Sequence, residues 1–151
     1  GLVLEPKKGF YDKYVLLLDF NSLYPSIILE FDLCFTTVKH WEPKKAGEMV
    51  DLPMREANHK GTLPNVIKQL LSRRKVVKEL MKKERNAVQK RKLDIRQKAI
   101  KLVANSMYGC LGFSSSRFFC QPIAALITSQ GRSILEKTKQ LAETSLGMEV
   151  I

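Results

Sequence analysis

Tyr14-Val15-Leu16-Leu17-Leu18-Asp19-Phe20-Asn21-Ser22-Leu23-Tyr24-Pro25-Ser26-Ile27-Ile28 is the stretch from which the rest of the chain is read. Its first part is almost continuously apolar and reads as a central buried strand that ends on a carboxylate at Asp19. Asn21 or Ser22 can then cap a short helix running to about Phe31, with Pro25 in its first turn. A strand is a rigid support, so an acid at its carboxyl end is held in a fixed place while the following backbone amides turn outward. That arrangement suits holding a metal ion and a polyphosphate together, as phosphoryl or nucleotidyl transfer requires.

Outward from this junction, Phe35-Thr36-Thr37-Val38 is a short β-prone run. Residues 40–61, punctuated by Pro43, Gly47, Pro53 and Gly61, read as an exposed loop. From Leu63 the apolar residues fall at helical period: Leu63, Ile67, Leu70, Leu71, Val77, Leu80 and Met81 predict a long amphipathic helix capped at Thr62, with Pro64 just inside. Charge dominates Arg85 to Lys92, where this helix should fray. A second helix follows from about Asp94 to Tyr108, with Ile95, Ala99, Leu102, Val103 and Met107 on its packing side, and the two form an antiparallel hairpin. Gly109 and Gly112 are expected to break it, and Ser114 to Arg117 to continue the turn. Pro122 opens a third helix to about Ser145, whose Ile123, Leu126, Ile127, Ile134, Leu135 and Leu141 suit packing on a sheet and which Gly147 is placed to end. Met148 to Ile151 reads as the start of another strand. The expected fold class is therefore α+β.

Composition narrows the partners. With 151 residues and 44% hydrophobic content the chain is expected to be globular. It has no apolar run of membrane-spanning length and no signal-peptide pattern, so no membrane partner is expected. Cys34, Cys110 and Cys120 are odd in number and lack paired CxxC spacing, which predicts reduced, partly buried thiols in a reducing compartment. His40 and His59 stand singly in loop-like sequence and read as surface residues.

The net charge of +11 is concentrated: 14 Lys and Arg lie against three acids between residues 68 and 101, and the remainder is balanced. A charge so localised points to a polyanion, either nucleic acid or nucleotide phosphates, although a solvated helical face is the commoner reason for a basic run. Lys101, Asn105 and Tyr108 share a helix face and could meet a phosphate, a sugar oxygen and a base. Arg74 and Lys78 could aim cations at the same anion, but spacing alone does not separate them from Arg73, Lys75, Lys82 and Lys83.

The stretch Asp19 to Ile28 resembles motif A of the family B DNA polymerases, and Lys101-Leu102-Val103-Ala104-Asn105-Ser106-Met107-Tyr108-Gly109 resembles their motif B, in the same order and with a basic hairpin between. Glu30 to Val38, Asp94 to Ala99 and Ser106 to Phe113 further resemble the eukaryotic alpha-type branch of that family. The resemblance implies a partial palm at 1–61, a fingers hairpin at 62–108 and a return to the palm at 109–151, where a strand would begin.

It implies template-directed DNA synthesis on a primer 3′-hydroxyl, with two Mg²⁺ ions as cofactors. Asp19 and Lys101 would be the catalytic residues, and Asp19 and the Phe20 carbonyl the metal ligands. Backbone amides of Asn21, Ser22 and Leu23 would cradle the phosphates, and Arg74, Lys78, Lys101 and Asn105 would grip the triphosphate. Tyr24 would pack on the deoxyribose and exclude ribonucleotides, while Tyr108 and Gly109 would lie beneath the nascent base pair of the template-primer. The implied partners are primer-template DNA, which can be RNA-primed, deoxynucleoside triphosphates, and primase with accessory subunits in the alpha-type branch; the implied location is the nucleus.

The family also needs a second carboxylate, in a motif expected just beyond Ile151. The chain therefore reads as a piece of a longer polymerase, without polymerase activity by itself. The competing reading, from a different class, is a non-catalytic basic helical module that binds nucleic acid by charge.

Overall fold

Four helices make up the regular structure of the computed structural model, which describes residues 6–39, 51–53 and 61–151. They are α1 (Leu23–Glu30), α2 (Thr62–Lys83), α3 (Ala87–Gly112) and α4 (Gln121–Ser145).

The first departure from expectation concerns the strands: there is none among the described residues, so the α+β class is corrected to an all-helical one. Tyr14 to Leu18 is extended but exposed, with Leu17 at 91% of its free surface. Apolar extended backbone becomes a strand only when a neighbour supplies the hydrogen-bond ladder and a second layer covers its side chains. Among the described residues, neither is present around this segment. Residues 35–38 form a turn instead, in which the amides of Thr37 and Val38 both donate to the Cys34 carbonyl, at 3.2 and 3.0 Å. Residues 148–151 likewise carry no regular structure. Most of the expected loop at 40–61, including His40 and His59, lies outside the described residues.

The helices obey local chemistry at their ends. α1 stops because Asp32 adopts a left-handed conformation (φ 48°), which lets the Leu33 amide reach back to the Ile28 carbonyl at 3.0 Å. Leu33 and Ile28, thus brought together, are both fully buried, the apolar contact that accompanies this type of helix stop. The Asp32 carboxylate then accepts the Gly61 amide at 3.1 and 3.2 Å, tying the end of α1 to the start of α2. Gly61, not Thr62, is the residue that precedes α2.

Only three residues connect α2 and α3. Asn86 caps α3, its Oδ1 accepting the amides of Val88 at 2.9 Å and Gln89 at 3.2 Å, so helix begins where fraying was expected. Of the two glycines expected to break α3, the helix runs through Gly109 and ends at Gly112. Gly147 (φ 61°) follows the end of α4 as expected, and the Met148 amide folds back on the Ala142 carbonyl at 3.0 Å.

The core lies at one end of the molecule. Ile27, Ile28, Leu33, Val38, Ile67, Leu111, Cys120, Ile123, Ala124, Leu126 and Ile127 join α1 and the turn after it to the base of the hairpin and the first half of α4. α4 therefore packs on α1 and α3, not on a sheet, and its Leu141 is exposed.

The hairpin itself closes along an apolar seam whose phase is the anticipated one on α2, apart from the exposed Leu80, and a different one on α3. On α2 the seam is Leu63, Ile67, Leu70, Arg74, Val77 and Met81; on α3 it is Leu93, Gln97, Ile100, Ala104, Met107 and Leu111. Both sets follow alternating steps of four and three residues, the spacing of one helix face against another. Ile95, Ala99, Leu102 and Val103 are exposed instead, Leu102 at 70%. The polar Gln97 within the true stripe had hidden its phase.

Gly61 is required by close approach: a Cβ built on it would lie 2.4 Å from the Cβ of Cys34. Gly61→Ala is expected to lower the unfolding free energy by about 1–3 kcal/mol, the usual cost of overpacking, measured by urea denaturation followed by circular dichroism.

Candidate active site

The site is assembled around the first turn of α1. Ser22 precedes the helix in a left-handed conformation (φ 53°, ψ 50°), which costs a non-glycine residue roughly 1–2 kcal/mol and turns the chain sharply out of the extended segment. Its carbonyl accepts the Ser26 amide at 2.9 Å, and the Ser26 hydroxyl donates to the Asn21 carbonyl at 3.3 Å. The expected capping role fails in detail, since no side chain caps α1. The amides of Leu23 and Tyr24, in the first turn, have no intrahelical acceptor and carry the positive end of the helix dipole. Asp19 stands exposed just before this turn, and Phe20 and Asn21 are exposed with it.

Tyr24 is held on two sides. Its ring centroid lies 4.4 Å from that of Tyr108 on α3, with the rings tilted at 45°. On α4, Gly131 is buried, and a Cβ placed there would lie 3.5 Å from Tyr24 Cε1, so the helix backbone closes against the ring. Burial, followed by the neighbouring Tyr24, raises the pKa of Tyr108, which keeps it a neutral phenol throughout the physiological range.

The cations divide by exposure. Lys78, Lys101 and Asn105 are exposed, whereas Arg74 is half-buried because it occupies a seam position. Its Nε donates to Gln97 Oε1 at 3.2 Å across the hairpin. Gln97 Nε2 in turn donates to Asp94 Oδ1 at 2.9 Å, and Asp94 Oδ2 pairs with Lys98 Nζ at 2.6 Å. Hydrogen bonds from Lys98 and then Gln97 hold the Asp94 carboxyl below its usual pKa, so the group stays ionised well into the acid range.

The structure thus brings Tyr24 to Tyr108, and Arg74 to a residue one turn before Lys101. It does not gather Asp19 with other acids: no group of three or more His, Cys, Asp or Glu able to hold a metal occurs among the described residues. The Asp19 carboxylate and the Phe20 carbonyl are hard oxygen donors of the kind Mg²⁺ takes, but this ion prefers six oxygens. They fit part of such a site, with the remaining ligands to come from water, substrate or a further carboxylate. Two residues near the site were missed in the sequence, Gln97 and Gly131. The four-three spacing of the seam would have singled out Gln97, and would also have separated Arg74 from its basic neighbours.

Gly109 lies exposed inside α3, and a Cβ there would meet nothing within 4 Å. Glycine within a helix costs about 1 kcal/mol relative to alanine, and no described residue requires it there.

The chain belongs to DNA polymerase family B, whose sequence profile matches residues 1–150. It is similar to DNA polymerase alpha catalytic subunits: 56% identical to that of Arabidopsis thaliana over 151 residues, 54% to that of Oryza sativa subsp. japonica over 151 residues, and 53% to that of Mus musculus over 160 residues. Each alignment covers 100% of this chain but 9%, 10% and 11% of the respective relative. The chain therefore spans about a tenth of the length of the curated relatives it matches. Among solved structures, the family B DNA polymerase of the hyperthermophilic archaeon Pyrobaculum calidifontis superposes with a TM-score of 0.69 at 33% identity, covering 86% of this chain and 18% of that one.

Gly109→Ala is expected to raise the unfolding free energy by up to about 1 kcal/mol in urea denaturation.

Proposed function

We propose that this chain supplies part of the nucleotidyl-transfer site of a replicative DNA polymerase, an enzyme that adds deoxynucleotides to a primer 3′-hydroxyl under template direction. The observation that carries the reading is the packing of Tyr24 against Tyr108, which joins two motifs remote in sequence at one place. In this reading 1–61 and 109–151 belong to the palm, and 62–108 forms the fingers.

Each residue then has a task. Asp19, exposed at the mouth of the turn, would hold the divalent cations together with the Phe20 carbonyl. Two Mg²⁺ ions, when bound, supply Lewis-acid activation of the attacking hydroxyl and neutralise charge on the pyrophosphate. The outward amides of the turn and first helical positions, Asn21 to Leu23, receive phosphate oxygens at the positive end of α1. Arg74 can take a phosphate with a planar fork, whereas Lys78 and Lys101 act as mobile point charges, and Asn105 bonds a phosphate or sugar oxygen.

Tyr24 is braced by Tyr108 and by the backbone at Gly131, so its ring cannot yield to an added 2′-hydroxyl. Tyr108 and the open surface at Gly109 lie where a base pair of any sequence could rest against a flat ring and bare backbone. The relatives' names support an alpha-type DNA polymerase; nuclear location, RNA-primed templates and a primase partner belong to the proposal through the alpha-type resemblance alone.

Asp19→Ala in the full-length polymerase is expected to abolish single-nucleotide incorporation while primer-template affinity, read by fluorescence anisotropy, stays within about twofold, because phosphate contacts by Lys and Arg dominate that affinity. A module that binds nucleic acid by charge alone would lose nothing. Tyr24→Ala is expected to cut discrimination against ribonucleotides about 10- to 100-fold, measured as the ratio of kcat/KM for paired deoxy- and ribonucleotides. Unchanged discrimination would remove the sugar-excluding role from Tyr24.

A further inference from the structure

Gln97 is the one buried polar or charged side chain among the described residues, and it occupies a seam position that is otherwise apolar on α3. Opposite it, Arg74 occupies an equivalent position on α2 among Leu63, Ile67, Leu70, Val77 and Met81. A polar pair set into an apolar seam does not improve on the packing that two hydrophobic residues would provide there. Its geometry is specific nonetheless. The Arg74 Nε donates to Gln97 Oε1 at 3.2 Å, and Gln97 Nε2 donates to Asp94 Oδ1 at 2.9 Å. That second bond decides which way the amide points, since only the oxygen can then face the guanidinium. Asp94 is itself fixed by Lys98 at 2.6 Å.

We infer that Gln97 is a positioning residue for Arg74. By accepting the Nε proton it fixes the long side chain across the hairpin and leaves the two terminal guanidinium nitrogens to grip a nucleotide phosphate as a fork. A guanidinium free to rotate would have to be ordered on each binding event, and a fork already aimed avoids that cost. Gln97 also lies one helical turn before Lys101, so the same bond keeps Arg74 beside the second phosphate-facing cation. Because both partners are seam residues, a slip of α2 against α3 by one turn would break the bond. The register of the hairpin and the aim of Arg74 are therefore one constraint. The inference rests on the reading of Arg74 as a triphosphate ligand.

The test uses the full-length polymerase carrying this segment and reads steady-state incorporation of a single deoxynucleotide. Gln97→Met keeps the side-chain volume and removes both hydrogen bonds. It is expected to raise KM for the nucleotide about tenfold, the effect of losing one hydrogen bond to a charged group, with kcat and primer-template affinity nearly unchanged. Arg74→Ala should raise KM at least as much, and the double variant should be no worse than Arg74→Ala alone, since Gln97 acts only through Arg74.

An unchanged KM in Gln97→Met, or penalties that multiply in the double variant, would overturn the inference while leaving the role of Arg74 intact. An unchanged KM in Arg74→Ala would overturn the triphosphate reading on which it rests. Should Gln97→Met not fold, Asp94→Ala releases the amide from a half-exposed position. It then carries the same expectation: a raised KM that vanishes in the Arg74→Ala background.

Discussion

An eight-residue helix is too short to persist alone in water, and α1 exists because its apolar face is buried against α4 and the base of the hairpin. Ile27 and Ile28 are wholly covered by that packing, and Leu23, Tyr24, Leu29 and Phe31 lean on the same cluster. Everything chemically useful at the amino end of α1 depends on it. The left-handed Ser22, the open amides of the first turn and the braced ring of Tyr24 keep their places only while the helix is pressed into the core. The Asp32 carboxylate extends the constraint by fixing where α2 begins.

From that base the hairpin reaches away with little core of its own. Beyond the shared cluster, its buried side chains include Val77, Gln97 and Ala104, set in the seam between α2 and α3. The concentrated positive charge of residues 68–101 lies on the exposed sides of this seam, with Arg74 drawn partly inside it. A scaffold of this kind separates two requirements. The core at one end holds Tyr24 and Tyr108 rigid, and the seam sets the relative register of the cations on two long helices.

Much of this was legible in the order of residues. The turn between Asp19 and Tyr24, the basic hairpin, the start of α4 near Pro122 and its end before Gly147 all follow from local signals: turn residues, helical period and the conformational freedom of glycine. What failed was whatever needed a partner. Tyr14 to Leu18 has the composition of a strand, but no neighbour among the described residues pairs with it. The face of α3 was assigned to its most apolar residues, Ile95, Leu102 and Val103, whereas the buried face includes Gln97.

By itself, the sequence determined the positions of three of the four helices and membership of the polymerase family, since these depend on residue type and spacing along the chain. Tertiary structure alone decided which of many similar residues come together. Seven or more cations look alike as a string, but only Arg74 falls in the seam and meets Gln97. Tyr24 likewise meets Tyr108 and the backbone at Gly131, from two other helices, only once the chain is folded. The reason is physical: charge and polarity belong to single residues, whereas orientation belongs to contacts between segments that the chain brings together only on folding.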